Sequence, residues 1–284
     1  MASQPVIPPR MSSPVADTHA HLVMLDDPAG ALERAARAGL GLVVTVADAT
    51  EAPRQTFDLL DGWLADARSR LAEHPDPGVE LPQVRIIVGA HPHNASSFTP
   101  QVAALLEELL ADPRVAGLGE IGLDYHYDHS PREMQRDAFR AQLEIARRSG
   151  LPAVIHLREA HDDGLEILQE AGLPPEGAVL HCFTGDAQLA RPFLDMGCYV
   201  SFAGPVTFKK ADAIREAAAA VPLERLLTET DCPFMAPEPN RGTSNEPAWT
   251  VFTLARIASE RGLPAEELAR VTYDNALAVF GSRG

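Results

Sequence analysis

Two histidines, His19 and His21, stand two residues apart at the end of the apolar run 15–18. On a β-strand, side chains two residues apart lie on the same face, about 7 Å from each other. That spacing lets both imidazoles reach one metal ion. The pair is therefore predicted to supply two ligands of a metal site, and other strands are expected to supply the remaining ligands.

Ionisable side chains recur where the other predicted strands end, which is where a parallel barrel places its active site. They are His91, Glu120, His156, His181 and Asp231. A carboxylate after an apolar run, such as Glu120, is costly to bury unless a positive charge compensates it, and a metal ion supplies that charge. Each of these residues taken alone could equally be a hydrogen-bonded structural residue, and Asp231 could simply begin a turn.

The elements that must position these residues are short apolar runs alternating with helix-like segments. We predict eight strands, at 15–21, 42–46, 85–88, 115–120, 153–156, 178–181, 199–202 and 226–229. Eight strands alternating with helices predict a parallel (β/α)8 TIM barrel, which needs about 250 residues and fits a chain of 284. The alternative is a doubly wound sheet, but the glycine-rich phosphate turn that it needs after the first strand is absent.

Composition indicates one globular domain over residues 15–284, preceded by a Pro- and Ser-rich segment, 1–14, that is predicted to be a flexible tail. No apolar run is long enough to span a membrane, and no signal segment opens the chain. Three scattered cysteines do not make a disulfide framework, so we expect the reducing cytoplasm. If Cys182 continues the strand after His181, its thiol points away from the site and packs as an apolar side chain.

The net charge of −16 limits the possible partners. It argues against a broad nucleic-acid-binding surface, because phosphate contacts need Lys and Arg, and the only lysines are Lys209 and Lys210. Metal ions and a few arginines can still bind a phosphate locally. Binding along duplex DNA by bulk electrostatics is therefore not expected.

Six segments, taken in order, carry a resemblance to a known family. They are DTHAHL at 17–22, GEIGLDY at 119–125, IHLR at 155–158, HCFTG at 181–185, ETDCP at 229–233 and RGTSNEP at 241–247. Together they resemble the TatD family of metal-dependent deoxyribonucleases, within the amidohydrolase-like barrels, over residues 15–280. The segment 49–83 looks longer than is usual in that family.

The resemblance implies a site for two divalent metal ions. One ion would be held by His19, His21, Glu120 and Asp231, and the other by Glu120, His156 and His181, with Glu120 bridging. Wider relatives bridge their metals with a carboxylated lysine, which cannot occur here on the fourth strand because both lysines follow the seventh. The metal could be Mg, Mn or Zn, since imidazole ligands suit Zn or Mn whereas phosphoryl chemistry often uses Mg.

The implied reaction is hydrolysis of a phosphodiester bond by a 3′-5′ exodeoxyribonuclease acting on DNA ends or single strands. A water activated by the two metals would attack phosphorus, with Asp231 as candidate general base and Glu120 as the other catalytic residue. Phosphate contacts are expected from His91, Arg158 and Arg241. The alternative for the two arginines is an ion pair with a neighbouring glutamate, Glu159 or Glu246.

Two other functions stay open from the sequence. The same site could hydrolyse a carboxylic ester, lactone or amide, because the same metal chemistry serves acyl and phosphoryl centres. The barrel could also hold metals without being a catalyst. Arg158 and Arg241 favour an anionic substrate, and the complete ligand set argues against a non-catalytic barrel. The sequence makes no prediction about the oligomeric state.

Overall fold

The computed structural model describes residues 5–281, and its centre is a sheet of eight parallel strands. The strands are β1 (Val15–Ala20), β2 (Leu40–Asp48), β3 (Gln83–Gly89), β4 (Val115–Asp124), β5 (Ala153–Arg158), β6 (Ala178–Leu180), β7 (Tyr199–Phe202) and β8 (Leu226–Thr228). They follow one another in sequence order, each paired in parallel with the next. After β8 the chain returns to β1, where the Asp231 N–H donates to the His19 carbonyl. The predicted (β/α)8 barrel is confirmed, and this strand order excludes a doubly wound sheet.

Helices connect the strands and cover the outside of the barrel. They are α1 (Pro28–Ala38), α2 (Gln55–Glu73), α3 (Pro100–Leu109), α4 (Arg132–Ser149), α5 (His161–Ala171), α6 (Ala187–Asp195), α7 (Asp212–Ala220), α8 (Thr250–Arg261) and α9 (Ala265–Phe280). Residues typical of helix ends define several of these helices. Asp27 and Asp186 accept N-cap hydrogen bonds at the starts of α1 and α6, and Gly39 ends α1 with a left-handed backbone. Among residues 5–281, no helix is both long and apolar enough to cross a bilayer.

The core has two layers. The inner layer fills the barrel with side chains from alternate strand positions, including Leu42, Val44, Ile87 and Leu227, and α9 adds Phe280 to it. The outer layer lies between the strands and the surrounding helices. The polar side chains at the C-terminal strand ends therefore lie directly above a layer of packed apolar side chains.

The segment before β1 lies against the barrel. Val6 exchanges two hydrogen bonds with the Asn240 side chain, and the Ser13 N–H donates to the Glu266 carboxylate at 2.6 Å. Backbone groups of residues 5–14 thus find partners on the barrel, and the flexible tail over residues 1–14 stays a prediction. The first four residues of the predicted tail lie outside the described residues.

The long segment 49–83 forms α2 and the loop that leads to β3. The Arg37 side chain donates to the His74 carbonyl, and Arg10 pairs with Asp76. A loop that precedes a strand lies at the opposite end of the barrel from the active-site face. The loop before β3 and the end of α2 that leads into it therefore lie away from the site.

Candidate metal centre

Seven ionisable side chains predicted from the sequence meet at the C-terminal end of the barrel. The strands β1, β3, β4, β5, β6 and β8, or the residues directly after them, supply His19, His21, His91, Glu120, His156, His181 and Asp231. Glu120 lies in the middle of this group and is 5% exposed. The structure thus brings together the whole predicted ligand set, together with His91.

The two carboxylate oxygens of Glu120 face two different sets of imidazoles. Oε1 lies 2.6 Å from His156 Nδ1 and 2.7 Å from His181 Nε2. Oε2 lies 3.3 Å from His19 Nε2 and 3.9 Å from His21 Nε2. A carboxylate that bridges two ions needs this arrangement, with one oxygen directed to each set.

Asp231 completes the set around Glu120 Oε2. Its Oδ1 lies 3.4 Å from His21 Nε2 and 4.0 Å from His19 Nε2. The backbone of Asp231 has a φ of +57°, in the left-handed region that Asp tolerates and that is frequent at functional sites. Burial alone would raise the pKa of Asp231, but the hydrogen bond with His21 and the neighbouring imidazoles hold it below its usual value.

Two further carboxylates support the histidines on the Oε1 side of Glu120. Asp124 Oδ2 lies 3.1 Å from His156 Nε2, and Glu229 Oε1 lies 3.3 Å from His181 Nδ1. When each carboxylate accepts the far N–H of its histidine, the other ring nitrogen is free to bind a metal ion beside Glu120. Such carboxylate–histidine pairs are typical of metal ligands.

Sequence reasoning assigned no role to Asp124 or Glu229, although a signal was present. Asp124 follows Glu120 by four residues on β4, and Glu229 precedes Asp231 by two. Even spacing on a strand places side chains on one face. Residues at i±2 and i±4 from a ligand were therefore candidates for its support.

His91 differs from the other histidines of the centre in its hydrogen bonding. Its Nδ1 accepts a hydrogen bond from the His93 N–H, so a neutral His91 carries its proton on Nε2. That Nε2–H points at Glu120 Oε1, 3.3 Å away. The distances around Glu120 and His156 would also allow ligation by His91. The proton position instead makes it a hydrogen-bond donor directed into the centre.

The donor set fits divalent metal ions. His19 is fully buried, and neither of its ring nitrogens has a hydrogen-bond partner among the described residues; the same is true of Glu229 Oε2. Leaving such atoms unpaired is costly, and a metal ion would supply the missing partner. Three overlapping groups of donor atoms lie within 4.8 Å of one another: His19, His181 and Glu229; His19, His21 and Glu120; His91, Glu120 and His156.

The electrostatics of the centre also favour ionised carboxylates. Burial would raise the pKa of Glu120, but the charge of His181 and the hydrogen bonds with His156 and His181 hold it well below its usual range. Conversely, Glu120 and Glu229 raise the pKa of His181 well above its usual value despite burial. Carboxylates and imidazoles at these distances need positive charge between them, either as protons on the rings or as metal ions.

Comparison with known proteins agrees with this geometry. The model of the family described as TatD related DNase matches residues 16–281. The chain belongs to the TatD family. It is 37% identical over 279 residues to TatD of Mycobacterium tuberculosis, an uncharacterized metal-dependent hydrolase, with 93% of this chain and 97% of the relative covered.

Two other TatD proteins extend the comparison. The 3′-5′ ssDNA/RNA exonuclease TatD of Klebsiella pneumoniae is 38% identical over 198 residues, covering 68% of this chain and 75% of the relative. The crystal structure of YjjV, a TatD homologue from Escherichia coli K12, superposes with a TM-score of 0.80 at 30% identity, covering 95% of this chain and 98% of that one. This TatD chain is therefore a member of a family of metal-dependent hydrolases.

Arg158 lies beside the centre and does not form the ion pair considered as its alternative role. Its guanidinium stacks on the Tyr127 ring, 4.6 Å from the centroid. The neighbouring Glu159 instead lies 2.7 Å from His126 Nδ1. Tyr127, half exposed, and Arg158 thus form one side of the mouth of the TatD centre.

Arg241 likewise forms no ion pair with its neighbouring glutamate, Glu246. Glu246 pairs with Arg34 at 2.6 Å, whereas Arg241 stacks on the Phe208 ring at 4.2 Å. Arg241 is exposed and lies in the loop after β8. Both arginines therefore keep their charge available at the active-site face.

Cys182 departs from the prediction that its thiol points away from the site. The residue has a φ of +44° just after β6, so strand alternation no longer applies there. Its N–H donates to Glu229 at 2.6 Å, and its side chain interacts with Asp231. Burial, and then the nearby carboxylates, raise the pKa of the Cys182 thiol well above its usual value, which disfavours a thiolate ligand.

Asp124→Asn is expected to weaken metal binding by about 10–100-fold, because Asp124 fixes the His156 ring through its Nε2–H. Metal affinity is measured by competition with a chromophoric chelator. Asp163→Asn is a matched control, since Asp163 accepts hydrogen bonds from Tyr125 and Arg136 and contacts no histidine of the centre. Equal affinities for the two variants would contradict a supporting role for Asp124.

Proposed function

We propose that this protein is a metal-dependent 3′-5′ exonuclease that hydrolyses phosphodiester bonds at the ends of single-stranded DNA. The observation that carries the proposal is the position of Glu120, whose two oxygens face two separate sets of donors. Centres with paired ions are common in enzymes that cleave phosphodiester bonds, because two charges can stabilise both the attacking and the leaving oxygen.

In this proposal, His19, His21, Glu120 and Asp231 would hold one ion, and Glu120, His156 and His181 would hold the other. When bound, the ions supply Lewis-acid charge that activates water and neutralises phosphoryl oxygens. Asp124 and Glu229 keep the rings of the second set oriented. Mg, Mn or Zn are the candidate metals.

The chain's own groups then handle the proton and the substrate charge. Asp231 accepts the proton of the attacking water, since its carboxylate is ionised and lies at the open edge of the centre. His91 donates its Nε2–H to a phosphoryl oxygen. Arg158 supplies positive charge at the mouth.

The side chains around the mouth of the metal centre are suited to stack against unpaired bases. Large apolar side chains are exposed there, with Tyr127 at 50% and Phe234 at 48%. The Phe234 ring lies 6.1 Å from that of His21, so a base stacked on it would be next to the metal centre. Aromatic stacking binds single strands with little sequence preference. The Klebsiella relative is named as an exonuclease of single strands with 3′-5′ polarity, which supports the same substrate class here.

Turnover on a panel of substrates tests the proposal. The protein is supplied with Mg²⁺, Mn²⁺ or Zn²⁺ and given a 5′-labelled single-stranded decanucleotide, bis(p-nitrophenyl) phosphate, and a lactone. We expect a ladder of products shortened from the 3′ end, cleavage of the diester, and loss of both activities with EDTA.

Two results would overturn the proposal. Hydrolysis of the lactone without the phosphodiesters would assign the site to acyl substrates, the alternative that the shared metal chemistry allows. Metal binding without turnover of any substrate would assign a non-catalytic role. A decanucleotide blocked by a 3′-phosphate is the control for polarity.

A further inference from the structure

A second feature on the active-site face is a cleft beside the metal centre. Its volume is about 640 Å³, within the range of about 300–1,000 Å³ typical of small-molecule sites. The residues that line it and matter here are Thr184, Phe208, Lys209, Lys210, Ile214 and Arg241. We call it the lysine cleft.

The lysine cleft opens on the same end of the barrel as the metal centre. Thr184 follows β6, Phe208 follows β7, and Arg241 follows β8. The last two loops are packed together, since the Glu238 N–H donates to Thr207 Oγ1 at 2.8 Å. A strand leaving the centre on the Asp231 side would therefore run into this cleft.

The charge of the cleft is unusual for this chain. It contains the only two lysines of a protein whose net charge is −16. Exposed arginines elsewhere commonly pair with carboxylates, as Arg132 does with Asp128. Within residues 5–281, Lys209, Lys210 and Arg241 form no ion pair with a carboxylate. Three uncompensated cations thus converge on one cleft.

The walls between these cations are apolar and aromatic. Phe208 lies under the Arg241 guanidinium at 4.2 Å, and Ile214 of α7 lies beside it. A cationic rim over an apolar wall matches a nucleotide, whose phosphate needs charge and whose base needs a flat apolar contact. A carboxylic acid or a bare phosphate would use the charges but leave the apolar wall exposed.

We infer that the lysine cleft binds the single strand on the 5′ side of the bond cleaved at the metal centre. This inference rests on the proposed exonuclease function, because the 3′ end must enter the centre for the rest of the strand to leave towards the cleft. Lys209 and Lys210 contact the phosphates, and Phe208 contacts a base or sugar. The cleft then makes the protein prefer substrates longer than a dinucleotide.

The test compares wild type with Lys209→Ala/Lys210→Ala, a surface variant. Two substrates are cleaved, dT10 and bis(p-nitrophenyl) phosphate, and binding of 5′-fluorescein-labelled phosphorothioate dT10 is followed by fluorescence anisotropy. We expect Kd and KM for dT10 to rise about 5- to 10-fold at low salt. Activity on the small diester, which cannot reach the cleft, is expected to stay within about twofold.

The salt dependence gives a second readout. Each phosphate contact adds about 0.7 to the slope of log Kd against log salt for a single strand, so the variant should lose about 1.4 of that slope. Arg68→Ala/Arg225→Ala removes two charges far from the mouth and is the matched control. Arg68 lies on α2 and Arg225 lies just before β8, at the other end of the barrel.

The outcomes separate the cleft from the proposed function. If wild type cleaves dT10 but the lysine variant binds it with unchanged Kd and slope, the inference is wrong and the exonuclease proposal stands. If wild type cleaves neither substrate but loses binding with the lysines, the exonuclease proposal fails while the cleft remains a single-strand site. An equal loss in the arginine control would overturn the inference by showing a general charge effect.

Discussion

Replacing Glu120 by Gln is expected to remove at least one of two bound ions and to lower kcat on bis(p-nitrophenyl) phosphate by more than about 100-fold. The loss should exceed the ~10–100-fold cost of changing groups that only support metal ligands, such as Asp124. The reason is that Glu120 directs one oxygen to each set of imidazoles. An amide keeps one oxygen and places a nitrogen without a free lone pair at the other position.

Metal content is measured by elemental analysis after gel filtration, beside the kinetics. Circular dichroism and thermal unfolding in EDTA show whether the variant folds like the metal-free wild type. Retention of two ions per chain by Glu120→Gln would contradict the bridging role. A fall in metal content no larger than that of Asp124→Asn would contradict it as well.

The fold could be predicted because its determinants are local. Runs of four to seven residues with strand character alternate with helical periodicity along the chain, and each strand was found within a few residues of its predicted place. The largest difference is at β4, which continues past the predicted end to Asp124. Gly122 explains the difference. At a φ of +138° it brings β4 so close to β5 that a Cβ would lie 2.0 Å from the His156 carbonyl.

The convergence of the candidate ligands could be predicted because a barrel brings the C-terminal ends of its strands together. That rule selects one residue at each strand end, so it found Glu120 and Asp231 but not the supporting Asp124 and Glu229. Support depends on the distance between two strands, as between Asp124 and His156. Even spacing along one strand makes Asp124 and Glu229 candidates, but it does not show which histidine each of them contacts.

The partners of exposed charges could not be predicted, since they depend on tertiary distance. Glu246, considered as a partner of Arg241, pairs with Arg34, which is 212 residues away in the sequence. The prediction of the Cys182 orientation was wrong for a related reason. Its left-handed backbone ends the strand alternation from which the prediction was made.

Asp231→Asn is expected to lower kcat by about 10²–10⁴-fold, the usual contribution of a positioned general base. Asparagine keeps a carbonyl oxygen that can remain on the ion, so metal content should stay close to that of wild type. It cannot accept a proton from water, because its amide is far less basic than a carboxylate. The effect should therefore appear in kcat for the small diester, with KM little changed.

The assignment depends on separating proton transfer from ligation. Initial rates are measured at rising concentrations of the activating metal, together with the metal content of each sample. Asp66→Asn, which alters an exposed pair with Arg70 on α2, is the control. If excess metal restores the rate of Asp231→Asn, or if full metal content coincides with a near-normal rate, Asp231 is a ligand and the base must be sought elsewhere. A slow enzyme that is fully loaded with metal identifies Asp231 as the group that takes the proton.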